Sequence, residues 1–208
     1  MHVAGTDFDR HVSVRSIMPT MGLGAFGPSI GGQAPRPVPS RVYFDLATWH
    51  LINTVYQPAR VAELRAMADF YGEPVHHTRL MRVITQRLGH ALLGEAEGAK
   101  IATAEGQGTT LALDLIERGL SVSLQAAEAE QALTHDLQRI VACAHETVKM
   151  AGLRTDQIDA LYFTGGSTGL KALTDRLQAA FPDAQAVRGD RLASVATGLG
   201  LHAARLFA

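Results

Sequence analysis

The stretch "DQIDALYFTGGSTGLKALTDRL", residues 156–177, constrains the chain more than any other. An apolar run over 158–163 has the length and bulk of a buried strand. After it, Leu170, Leu173, Leu177 and Phe181 recur at helical spacing along one face. A strand that enters a helix through Gly165, Gly166, Ser167 and Thr168 leaves the first helical N–H groups unpaired and pointing outward, a geometry that accepts a phosphate. A plain strand-to-helix turn also explains the segment: glycine relieves crowding and Ser167 or Thr168 caps the helix. Both readings stand on the segment alone.

The 208 residues suffice for a real core in one or two domains. With 19% charged residues, a formal net charge of −1 and no basic runs, the chain lacks the basic excess of a nucleic-acid binder. Its one cysteine, Cys143, excludes an intrachain disulfide framework and fits a reducing compartment. No apolar run reaches membrane-span length, and the first residues lack the regions of a signal peptide. A soluble, cytoplasmic protein without membrane or nucleic-acid partners is expected. Among nine histidines only His76 and His77 cluster, and adjacent helical positions do not face one ion, so no metal site is expected.

Thr6 and Asp7 are helix caps for a short helix over 8–18, ending near Pro19. Residues 22–40 are rich in Gly and Pro and read as a long loop or insertion. Its literal G-x-G-x-x-G (Gly22, Gly24, Gly27) lacks the strand before and the helix after that a dinucleotide fingerprint requires. Helices are expected over 44–56, 59–71 and 77–105, then a hairpin of strands over 110–115 and 120–124 turned by Glu117, Arg118 and Gly119. A long helix over 126–151 follows, ended by Gly152. A short strand over 184–187 and a helix over 195–207, with Gly198 and Gly200 suited to close packing, complete the chain. The expected fold is α/β, with a helical and β-hairpin part over 1–125 and an α/β part over 126–208. The second part has too few strands for a self-sufficient sheet.

Four segments resemble the seventy-kilodalton heat-shock chaperones: "AGTDFDR" (4–10), "EGAKIATAEG" (97–106), residues 151–181 with the Gly-Gly-Ser-Thr corner, and "GDRLASVATGLGLHAA" (189–204). The corner is the specific match, and order and spacing agree except for a longer stretch over 22–78. The resemblance implies an incomplete actin-like ATPase lobe of ribonuclease H-like type, the second of two lobes that close over ATP or ADP, with Mg in the complete parent domain. The family's first lobe, with its phosphate loops and lysine, has no match here, and neither has its peptide-binding domain. The chain is therefore most similar to short bacterial forms with an ATPase domain alone, or to a fragment of one.

The same resemblance implies roles. Gly165, Gly166 and Ser167 would approach the adenosine and its phosphates, Gly5 would pass near the phosphates, and Glu97 and Lys100 would grip the ribose hydroxyls and adenine edge. Leu170 would keep an apolar contact, and Asp190 would be the closing acidic residue, displaced so that Leu192 takes its aligned place. Without the resemblance, Glu97 and Lys100 read as an exposed i, i+3 ion pair. Where the family has an arginine stacked on adenine, a serine one turn later and an arginine after the corner serine, this chain has Ile101, Ala104 and Gly169. The lost stacking platform is worth about 0.5–2 kcal/mol, so a weaker grip is expected.

No segment supplies hydrolysis chemistry, so nucleotide binding without ATPase activity is expected of this chain, alongside a client or exchange-factor protein and self-association. Two alternatives remain: a sugar-kinase or activator-type ATPase lobe, and a protein-interaction module using the aromatics Tyr43, Phe44, Trp49, Tyr56, Phe70 and Tyr71.

Overall fold

The computed structural model describes residues 3–29, 34–189 and 193–207. The fold is mixed α/β. It divides into two compact units, one of Thr6–Thr103 with Gln107–Ala132, the other holding the remaining described residues, mainly from Leu133 onward.

The first helix, α1 (Gly5–Val12), runs on as a π-helical turn, Ser13–Ile17, and a 3-10 turn, Met18–Met21. The single helix expected over 8–18 therefore changes pitch twice. The changes bring Ile17, Met18 and Met21 fully into the core, and Pro19 sits at the start of the 3-10 turn, where its missing N–H costs nothing. The Gly/Pro loop that follows is tied across its middle. Gly27 N–H donates to Arg36 O at 2.8 Å and Val38 N–H to Ala25 O at 2.9 Å, with the Val38 side chain buried.

Five helices come next: α2 (Arg41–Leu46), α3 (Ile52–Val55), α4 (Pro58–Ala66), α5 (Pro74–Thr85) and α6 (Gly89–Thr103). Three longer ones were expected. The long helix over 77–105 is broken at Arg87, which takes φ +55°. The break is stabilised from far along the chain, because the Tyr56 hydroxyl accepts the N–H of Gly89 at 2.8 Å and so caps α6. The hairpin pairs β1 (Thr109–Ala112) with β2 (Ser121–Leu124) antiparallel, Leu111 opposite Val122. It is shorter than expected because Leu113–Gly119 forms the turn, with Gly119 N–H donating to Asp114 Oδ1 at 2.8 Å. Leu46, Leu80, Ile84, Leu92 and Leu113 lie fully buried around this core. Each contributes about 1.5–3 kcal/mol relative to exposure.

Helix α7 (Ala126–Met150) ends as expected at Gly152, where Gly152 N–H donates to Lys149 O at 3.0 Å and Leu153 N–H to Val148 O at 3.1 Å. The second unit then forms a strand–helix–strand: β3 (Ala160–Phe163), α8 (Lys171–Ala180) and β4 (Gln185–Arg188). The two strands are parallel, with Ala160 opposite Gln185 and Phe163 opposite Arg188, as a helical crossover requires. The last helix is α9 (Ser194–Phe207).

Two expectations are corrected here. The run over 158–163 is not a fully buried strand: it is paired only over 160–163, Phe163 is buried and Tyr162 is 62% exposed. Among the described residues β4 is the only strand paired with it, so its other edge carries no strand. Gly198 and Gly200 do not serve close packing with the described residues, since a Cβ at either would meet none of them within 4 Å. Val195, Leu199 and Leu206 of α9 are likewise exposed. No helix among the described residues is long and apolar enough to cross a membrane.

Candidate functional site

The corner after β3 is built from two different demands. Gly165 adopts φ +89° and ψ 156°, a conformation open in practice only to glycine. Gly166 takes no unusual backbone, its φ lying outside the positive range, and a Cβ there would meet no described residue within 4 Å. A plain turn therefore accounts for Gly165, and no described residue requires a glycine at 166.

The helix does not follow at once. A 3-10 turn, Gly166–Gly169, intervenes, and α8 starts at Lys171 with Leu170 as its N-cap. Neither hydroxyl caps α8. Thr168 folds back instead, its N–H and Oγ1 both donating to Gly165 O, at 3.1 and 2.7 Å. The Lys171 N–H, expected to point outward, donates to Ala104 O at 3.2 Å. The N–H groups of Gly165, Gly166 and Ser167 have no acceptor among the described residues. Leu170 is buried. Gly5 opens α1. Asp190 and Leu192 lie outside the described residues.

In the other unit, Glu97 and Lys100 lie on one face of α6, but they do not form the exposed ion pair with each other. The Lys100 ammonium lies 2.6 Å from Asp9 Oδ1 on α1, with side chains 12% and 11% exposed. Burial pushes the Asp9 carboxyl above its ordinary value; the Lys100 ammonium pulls it down and the nearby Glu97 carboxylate adds to the rise. Glu97 itself is exposed, and so is Ile101, the residue after Lys100. Asp9 was not singled out from the sequence. It lies in the same "AGTDFDR" segment as Gly5, but its partner stands 91 positions further on, and no local pattern marks such a pair.

The aromatics of the 22–78 stretch split in two. Tyr43 and Tyr71 are buried, whereas Trp49, at 57% exposure, makes a T-shaped contact with His90, ring centroids 4.7 Å apart. The described residues contain no group of three His, Cys, Asp or Glu placed to hold a metal ion. No protein-family model matches the chain.

Proposed function

We propose that this chain is a nucleotide-binding lobe of a chaperone-like, actin-like ATPase, supplying adenosine and phosphate contacts rather than hydrolysis. Gly166 carries the reading. No described residue requires a glycine there, and beside the unpaired N–H groups a bare backbone admits a ligand to contact distance. The free N–H groups of Gly165, Gly166 and Ser167 supply what a phosphate oxygen accepts. Glu97 and Lys100 offer an acceptor and a donor of the kind that a sugar hydroxyl takes. The resemblance of the four segments to the heat-shock chaperones makes adenine nucleotide the ligand of choice.

Titration of the 15N-labelled protein with ADP tests this reading. The amides of Gly165, Gly166 and Ser167 are expected to shift and saturate together, and unchanged amides at millimolar ADP would overturn it.

A second reading, a protein-interaction module, draws on the exposed Phe26, Trp49 and Phe70. It predicts no response of the corner amides to nucleotide.

A further inference from the structure

A cavity of about 400 Å³ lies where the π-helical turn Ser13–Ile17 and the following 3-10 turn meet β2 and the first turn of α7. Small-molecule sites run from about 300 to 1,000 Å³, and π-helical turns are rare and frequent at functional sites. All the lining residues belong to the unit of Thr6–Thr103 with Gln107–Ala132. Ser16 lines the cavity at 5% exposure, and its hydroxyl has no hydrogen-bond partner among the described residues. Buried hydroxyls nearly always have one. Arg15 Nη2 stands 3.8 Å from Glu128 Oε1, too far for a hydrogen bond, with both side chains about half exposed. Such a pair contributes little to stability. Glu128 is held independently of it, since Oε2 accepts the N–H of Gln125 at 3.0 Å. Pro19, Val122 and Leu124 add an apolar lining.

These features discriminate among ligands. A phosphate or a plain carboxylate would face Glu128 as well as Arg15, and a cation would face Arg15 as well as Glu128. An α-amino acid carries both charges on one carbon and meets the two side chains at once. We propose that the cavity is a binding site of its own, for a free α-amino acid with an apolar side chain. Arg15 and Ser16 donate to the carboxylate, Glu128 accepts from the ammonium, and the side chain lies on Pro19, Val122 and Leu124. The ligand exchanges one loose, solvent-screened ion pair for two charge-assisted hydrogen bonds and gives Ser16 the acceptor it lacks. The site uses none of the residues of the nucleotide reading and stands or falls apart from it.

The test titrates the 15N-labelled full chain with L-leucine, N-acetyl-L-leucine and L-leucinamide at millimolar concentrations. The two analogues lack the ammonium and the carboxylate respectively, and so stand in for the last and first residues of a peptide. Leucine should shift the amides of Ser16, Val122 and Ser123 and saturate. Each analogue should bind at least about tenfold more weakly, the scale of one hydrogen bond to a charged group. Arg15→Gln should weaken leucine by a similar factor and leave leucinamide unchanged. Ser16→Ala should weaken leucine by roughly threefold or more at a melting temperature no lower than the wild type's, because its hydroxyl has no partner to lose. The analogue comparison needs only the wild type and decides if a variant fails to fold. No saturable response to leucine, or equal affinity for the three compounds, overturns the proposal. So does a folded Arg15→Gln variant that binds leucine as the wild type does.

Discussion

Tyr43 and Tyr71 meet hydroxyl to hydroxyl at 2.9 Å in the buried interior, 28 positions apart, and Tyr43 also donates to Met21 O at 2.8 Å. The pair shapes the residue beside it. Gly22 takes φ +106°, and a Cβ there would lie 2.8 Å from Tyr71 Cε1 and 3.0 Å from Tyr43 Oη. Gly22→Ala therefore adds positive-φ strain of about 1–2 kcal/mol to an overpacking cost of about 1–3 kcal/mol. Tyr43→Phe leaves the Met21 carbonyl without its donor, at about 1–3 kcal/mol. Urea denaturation should show both losses at unchanged m-value. A Gly22→Ala variant as stable as the wild type would contradict the geometry.

The Asp9–Lys100 pair makes a different prediction. Removing either partner leaves a buried charge alone, which costs about 3–5 kcal/mol, whereas Asp9→Asn/Lys100→Met together should return close to wild-type stability. A double-mutant cycle by chemical denaturation measures the coupling, and additive losses would count against a buried pair.

The same pair sets a pH dependence with a definite sign. Burial, against the pull of Lys100, holds the Asp9 carboxyl above its ordinary 3.8. The folded chain thus binds this proton more tightly than the unfolded chain. The stability it contributes is fully present below about pH 3.8 and is lost as the pH rises through the raised value. Relative to the Asp9→Asn/Lys100→Met variant, the wild type should lose melting temperature as the pH climbs through that window. A difference that grows in favour of the wild type would reverse the assignment.

Much of this architecture is legible in the sequence because it depends on neighbours in the chain. The β3–α8–β4 unit, the hairpin and the Gly152 stop are all written in local periodicity and turn residues. What is not legible depends on distant partners. The break between α5 and α6 is invisible in an apolar pattern that continues through it, since the cap comes from Tyr56. The 3-10 turn after Gly166 is equally hidden, because Ser167 and Thr168 are good caps and only the backbone shows Thr168 bonding to Gly165 instead. Lys100 reads as the partner of Glu97, three residues away; burial against α1 gives it Asp9.

The edge of β3 without a paired strand predicts self-association. Among the described residues it pairs with β4 alone, and Tyr162 and the apolar residues of α9 stand exposed in the same unit. Open strand edges recruit further strands, and a charge on the strand opposes that. Light scattering at micromolar concentration should report species larger than the monomer, diminished by Tyr162→Lys. A monomer with strongly protected amides over Ala160–Phe163 would mean that the edge is covered.

Phosphate release provides a further check. On the proposed reading, the chain carries nucleotide contacts without the segments that perform hydrolysis in the heat-shock chaperones it resembles, and phosphoryl transfer needs bound metal, a placed water and charge stabilisation. The purified chain should release no phosphate from ATP above background. Steady release abolished by Lys100→Met or Gly166→Val would show that the chain hydrolyses ATP by itself.

The central claim is that Gly166 is bare for a ligand. Calorimetric titration with ADP of the wild type and Gly166→Val, each with its melting temperature, tests it most directly. A Cβ at Gly166 would meet no described residue within 4 Å, so the valine variant should melt within about 2 °C of the wild type, the shift expected from a change of no more than ~0.5 kcal/mol. Its ADP affinity should fall by at least about a hundredfold, the effect of a clash worth ~2.7 kcal/mol. Equal affinity at an equal melting temperature would return Gly166 to a mere turn and contradict the account.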